Sequence, residues 1–185
     1  MKSGDRRDPT QIIEKCLGAF VAAGKLDLSL DQLAAEVSIS KRMLIHYFGT
    51  REELEIRAIG LLEDQLRASF SPAAFPSGTS RKAFVLAMWE RSTDPASRGV
   101  LQVIMDVTRR GWSGSERGKA FYAEQQRMWL DLLQSYFPNT SAAEELLLLF
   151  QGAILVYLVT GDAEQGRRAL LRTIKRGKAD TSSQW

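Results

Sequence analysis

The chain has 185 residues, 44% of them hydrophobic, enough for one sizeable core or for a small domain attached to a larger one. Its 25 lysines and arginines against 22 aspartates and glutamates leave a formal net charge of +3, too mild an excess to mark a nucleic-acid partner by itself. The single cysteine, Cys16, excludes an intramolecular disulfide, and the polar opening MKSGDRRDPT does not read as a secretory signal.

Residues 1–8 read as a solvated tail or a short basic arm carrying Lys2, Arg6 and Arg7. Pro9 and Thr10 start a helix predicted to run to Ala23 and to be ended by Gly24. Ile12, Ile13, Cys16, Leu17, Phe20 and Val21 line one face at core spacing, so Cys16 reads as a small buried hydrophobe.

Residues 29–51, SLDQLAAEVSISKRMLIHYFGTR, then hold two short helical patterns almost back to back. Ser29 and Gln32 form an S-x-x-Q capping box ahead of Leu30, Leu33, Ala34 and Val37. Ser38 and Ile39 make the break. Ser40 caps a second helix with Met43, Leu44, Tyr47 and Phe48 on the 3.6 period, and Gly49 is placed to end it in a left-handed conformation. Two helices of about two turns joined this tightly form a helix-turn-helix pattern, or a plain helical hairpin. The first shows Asp31 and Glu36 outward, whereas the second shows Lys41, Arg42 and His46, which suits entry into a major groove. Phe20, Leu30, Leu33, Ile39, Leu44 and Phe48 are the expected core of this head.

Thr50 and Glu53 cap a further helix to Phe70, with a stripe of Leu54, Ala58, Leu61, Leu62 and Leu66 and no Gly- or Pro-rich linker before it. The division expected is a head over 1–50 and a larger helical unit over 51–185. Residues 71–80 read as a loop, 81–92 as a helix, and the next helix runs from Pro95 to Thr108. Three glycines make residues 109–118 a second loop, with no strand before it and no G-x-G-x-x-G order. A long helix follows from Glu116 to Tyr136, closed by Pro138. Ser141 and Glu144 cap the next, to Thr160, and Asp162 caps a last helix with a basic face of Arg167, Arg168, Arg172, Lys175 and Arg176. No stretch shows strand alternation, so the predicted fold is all-α.

The helix ending at Thr160 is apolar nearly all round. Its 14-residue apolar run, 146–159, is too short for a membrane span and reads as buried. One side packs on its own chain, and a second subunit is the expected cover for the other, with the last helix completing a four-helix arrangement. Leu147, Phe150, Gln151, Ile154, Leu158, Leu170 and Ile174 are the expected dimerisation residues. Aromatic and methionine side chains concentrate over 84–136. Phe84, Met88, Trp89, Met105, Trp112, Tyr122 and Trp129 are candidate walls of a pocket for a flat, apolar ligand, or else ordinary core. The chain has one histidine, His46, and neither a metal-binding nor a hydrolase motif, so neither an enzyme nor a bound cofactor or metal is expected.

With the amphipathic first helix before it and the hydrophobic helix after it, LAAEVSISKRMLIHYFGTREEL resembles the DNA-binding head of the TetR family of bacterial transcriptional regulators. The resemblance covers residues 10–66; the remainder matches only in helical layout. It implies a cytoplasmic homodimer of nine-helix chains whose two heads read successive major grooves of a near-palindromic operator. Most such proteins repress, and a small molecule in the larger domain releases the DNA. It further implies that Ser29 contacts phosphate, that Lys41 and Tyr47 clamp phosphates, and that Arg51 adds another contact. Ser40, Lys41, Arg42 and Met43 open the recognition helix, with His46 toward its end. Ser38 stands where the family often has glycine, and Arg42, Met43 and Ile45 depart from its usual residues, which changes the operator read. Arg42 is the candidate for guanine, or for a phosphate, and Met43 for a thymine methyl. The alternatives are a helical protein-interaction adaptor that keeps the helix-turn-helix as scaffold, and an activator.

Overall fold

A computed structural model describes residues 8–113, 116–137 and 139–179; the side chains of 110–113 and 176–179 lie outside that description. The predicted basic arm, Pro138, and the side chains of Trp112 and Arg176 therefore fall outside it. Nine α-helices occur among the described residues: α1 (Pro9–Ala23), α2 (Leu30–Glu36), α3 (Lys41–Phe48), α4 (Arg51–Phe70), α5 (Arg81–Thr93), α6 (Arg98–Ser113), α7 (Glu116–Gln134), α8 (Thr140–Thr160) and α9 (Ala163–Ala179).

Local capping explains most boundaries. Asp8 accepts from the Thr10 N–H, and Ser40, Thr50 and Ser80 each accept from the backbone N–H three residues on. Gly24 ends α1 in the left-handed region, as expected. Gly49 differs. Its φ is positive, but φ 75 and ψ −75 with a 2.9 Å bond from Thr50 N–H to Phe48 C=O make a γ-turn, not a left-handed cap. A side chain would strain that turn, so glycine is placed there for the turn between α3 and α4.

Three expectations are corrected. Residues 109–118 are not a loop, because α6 continues to Ser113 and α7 begins at Glu116. Ion pairs one turn apart, Arg109 with Asp106 and Lys119 with Glu116, support the helices on either side of the break. A glycine inside a helix costs only about 1 kcal/mol, which tertiary packing outweighs. The cap of α8 is Asn139, whose side chain accepts from Ala142 N–H, so the helix starts earlier than Ser141 would place it. At 21 residues α8 exceeds its apolar run and is long enough to cross a membrane, so length does not exclude a span.

Two apolar clusters form. The first joins α1, α2, α3 and the first half of α4 through Phe20, Leu33, Leu44, Leu54 and Ala58, and it takes in Val103 from α6. Leu30 and Ile39 sit at its edge rather than in its centre. The second joins the end of α4 to α5, α7, α8 and α9 through Phe70, Phe84, Trp89, Leu133, Leu146 and Leu170. Helix α4 thus belongs to both, and the first cluster extends past residue 50. Cys16 is sealed in the first cluster, where burial pushes its thiol up to about 11.

Candidate nucleic-acid interface and interhelical cavity

Helices α2 and α3 are set by reciprocal caps and one strained residue. Gln32 N–H donates to Ser29 Oγ at 3.1 Å while Ser29 N–H donates to Gln32 Oε1 at 2.7 Å. Val37 is sealed in the core, and Ser38 turns the chain at φ 54, the one positive φ outside glycine among the described residues. That position suits glycine, which the family it resembles often has there; serine holds it at some strain. Leu44 and Phe48 are buried against the head core, so the opposite face of α3 is fixed outward. On it Lys41, Arg42, Met43, Ile45 and His46 are exposed, with Tyr47 half-buried.

These side chains are not equally available. Lys41 Nζ lies 3.1 Å from Asp31 Oδ2, an exposed ion pair worth at most about 1 kcal/mol and open to exchange for another anion. Arg42 makes no ion pair or hydrogen bond among the described residues. Arg51 is occupied inside the protein: Nε donates to Glu55 at 2.7 Å and Nη2 donates to the Leu26 carbonyl at 2.8 Å. Arg51 is thus engaged within the head, with about a third of its side chain still exposed.

The Leu26 peptide is held from two sides. Its carbonyl takes Arg51 of α4, and its N–H donates to Asp106 Oδ2 of α6 at 3.0 Å. Arg109 holds the other oxygen of Asp106. Close by, Gly99 of α6 lies against the Val21 carbonyl of α1, where a side chain would collide with backbone. The loop before α2 is therefore clamped between two helices of the larger unit.

Those two helices also wall a cavity of about 470 Å³ bounded by α4 to α8. Met88, Met105, Tyr122 and Trp129 line it, as expected. Phe84 and Trp89 do not: both are sealed in the second cluster behind it. Phe84 stacks on Tyr136 at 3.7 Å, and Trp89 meets Phe150 and Tyr157 edge-on while its Nε1–H donates to Ala163. Aromatic content marks a region, but only packing decides which rings face the void.

The wall also holds charge. Glu63 lines the cavity, and Arg67, one turn on at i,i+4, continues the buried side of α4; each is 8% exposed. Trp129 Nε1–H donates to Glu63 Oε2 at 2.7 Å. Arg67 donates to Asp64 at 2.5 Å and to Gln125 Oε1 at 2.7 Å, and stands 3.6 Å from Glu63 Oε2. Burial pushes the Glu63 carboxyl above its usual range, against the Trp129 bond and the Arg67 charge, and Asp64 adds to the rise. Burial and then the Glu63 charge push the Tyr122 phenol up. The one available signal was that spacing, with Glu63 and Arg67 four apart beside Ile59 and Phe70 on the apolar stripe.

Most of the expected dimerisation residues face inward. Leu147, Phe150, Gln151 and Ile154 line the cavity, Leu170 and Ile174 are buried in the second cluster, and Leu158 packs against it. Gln151 also donates to Gln126 across the cavity wall. A helix apolar all round gives no phase, so the sequence could not distinguish its inner face. The outer face carries Leu148, Leu155, Val156 and Val159, exposed by 69, 54, 37 and 79%. Gly152 lies between them, giving a 148, 152, 155, 159 stripe at coiled-coil spacing, of which Gly152 and Leu155 also border the cavity.

No family model matches the chain, and no curated protein does. Solved structures do match. A transcriptional regulator from Rhodococcus sp. Rha1 aligns with TM-score 0.77 at 17% identity over 92% of this chain and 95% of its own. The fold is that of TetR-family regulators. A TetR-family transcriptional regulator from Streptomyces coelicolor aligns at 0.73 and 19% identity, over 89% of this chain and 78% of its own. The multidrug binding protein EbrR, solved in complex with proflavin, aligns at 0.67 and 19%, over 89% and 98%. At these identities the likeness concerns the fold and assigns no residue a role.

Proposed function

We propose that this chain is a sequence-specific, DNA-binding transcriptional regulator that works in the cytoplasm as a homodimer. In this reading it is a repressor released from a palindromic operator by a small apolar or aromatic effector. The observation that carries the reading is α3: a helix locked from behind by Leu44 and Phe48 that turns Lys41, Arg42, Met43 and His46 to solvent together. Rigid backing is what base readout requires, and basic, amide-free side chains of this length reach guanine edges and phosphates.

Ser29 and Ser40 stand at the helix starts nearest the backbone, with Lys41 and Tyr47 as phosphate contacts, Arg42 and Met43 as base readers, and Arg51 holding the Leu26 loop. The outer stripe of α8, Leu148, Gly152, Leu155 and Val159, is the two-fold face in this account, because an exposed apolar stripe needs cover. The cavity is the effector site. Its link to the head runs through α6 and α4, which both wall the cavity and grip Leu26.

Selection of binding sites from a random duplex pool tests this. The expected winner is a palindrome with half-sites one helical turn apart or a multiple of it, bound at least roughly a thousandfold tighter than a scrambled duplex. Lack of enrichment, with a modest affinity that vanishes in salt, would overturn it and favour a scaffold role for the head.

A further inference from the structure

Glu63 is the carboxylate in the cavity wall, and it shares its ion-pair partner, Arg67, with Asp64. Its Oε2 takes the Trp129 N–H. Arg67, the nearest cation, directs its short hydrogen bonds to Asp64 and Gln125 and stands beyond hydrogen-bond reach of Glu63, at 3.6 Å. Two carboxylates on one turn of α4 thus share one guanidinium. Glu63 Oε1 makes no hydrogen bond among the described residues. Every sealed side-chain nitrogen and oxygen among them has a partner, so Oε1 keeps access to open space, and the open space beside Glu63 is the cavity.

The rest of the wall is flat and apolar, with Phe70, Phe121, Trp129, Met88 and Met105 contributing. Arg91 also borders the cavity, but its side chain is committed: Nη1 donates to the Ser69 carbonyl at 2.8 Å, and the guanidinium lies over the Phe75 and Phe70 rings at 4.8 and 5.7 Å. Arg91 keeps its charge but directs its donors away from the void, so Glu63 Oε1 is the acceptor left for a ligand. A buried carboxylate short of a partner is costly, and a ligand that brings the partner removes that cost while gaining a charge-assisted hydrogen bond. The indole of Trp129 beside it favours a cation further.

We propose that the cavity selects flat, apolar compounds bearing a protonated amine, with the N–H directed to Glu63 Oε1. The inference rests on the reading of the cavity as the effector site. It differs from the expectation of an uncharged, greasy ligand, which composition alone suggested.

Two probes of similar shape test it at neutral pH: 9-aminoacridine, a cation, and acridine, which is largely uncharged. Calorimetric titration of the full-length protein and of Glu63→Gln provides the readout, with circular dichroism and the acridine affinity reporting whether the variant is folded. The expected result is that the wild type binds the cation at least about tenfold more tightly than acridine. Glu63→Gln should lose that preference and keep acridine binding within about twofold. Equal affinities in the wild type, or a preference that survives in Glu63→Gln, would overturn the charge assignment and leave the effector site standing. If the variant misfolds, the wild-type preference alone decides, checked by an acridine carboxylate that must bind more weakly than acridine. Binding of no probe up to about 1 mM would overturn the effector site and the charge assignment together.

Discussion

The two halves of α4 sit in different kinds of interior. Its first half enters a dry, filled core in which Leu54 and Ala58 are sealed against α1 and α3. Its second half carries Glu63, Leu66 and Phe70 into the wall of a 470 Å³ void. One continuous helix thus joins a rigid mount to a region that still has space to fill. A filled core transmits displacement because it does not deform, and a hollow one can change shape on filling. The Leu26 peptide, gripped by Arg51 from α4 and by Asp106 from α6, is where a shift on the hollow side reaches the mount.

The comparison can be broken most severely on the outer stripe of α8. If the outer stripe of α8 joins two mounts, Leu155→Glu with Val159→Glu should reduce the sedimenting species to one 20.7 kDa chain. Operator affinity should fall by roughly a hundredfold or more, since each head then binds alone. A dimer that survives this double substitution would move the interface elsewhere. Within the molecule, Leu44→Ala should cost about 2–5 kcal/mol by denaturant titration, because a sealed site cannot collapse around the loss. Met105→Ala, on the existing void, should cost about 1 kcal/mol or less by the same measurement. Similar values at both positions would contradict the contrast between filled and hollow interiors.

The coupling peptide sharpens the comparison. Asp106→Ala leaves the Leu26 N–H without its acceptor, which should lower stability by about 1–3 kcal/mol. Hydrogen exchange at Leu26 and in α2 should quicken, while Leu133 in the second cluster stays protected. Equal changes in both places would deny the peptide a local role.

The smallest effect concerns pH. The Glu63 carboxyl is raised in the folded state, so the folded protein holds that proton more tightly than the unfolded chain. The group's contribution is fully present below the usual glutamate range and is lost as pH rises through the raised value. Glu63→Gln should therefore show a melting temperature that falls less between acid and neutral pH than the wild type's. A steeper fall in the variant would reverse the assigned sign.

Much of the head was legible because its determinants are local. Ser29 with Gln32, Ser40 and Thr50 cap helices within three residues, and Leu44 with Phe48 sets the face of α3 by spacing alone. The left-handed backbone at Ser38 was signalled only by the resemblance, in which glycine often holds that place. The larger unit was less legible because its determinants are distant. Glycines at 111, 114 and 118 looked like a loop, yet α6 and α7 run into that stretch. Helix α8 offered apolar residues on every side, so only its packing on the neighbouring helices separates the buried Ile154 from the half-exposed Leu155, although both border the cavity. Glu63 was not singled out in the sequence, and its buried partner, Trp129, lies 66 residues away. Of the aromatic side chains expected to wall a pocket, Phe84 and Trp89 turned into the core for the same reason.

The central claim is that the mount holds a base-reading helix. It is tested most directly by anisotropy titrations of wild type, Arg42→Ala and Lys41→Ala on the selected duplex and on a scrambled one across a salt series. The account predicts that Arg42→Ala loses about 1–3 kcal/mol on the selected duplex and little on the scrambled one. Lys41→Ala should weaken both alike and lower the salt slope by about one. A wild type that binds the two duplexes equally, or an Arg42→Ala variant indistinguishable from wild type on both, would contradict the account.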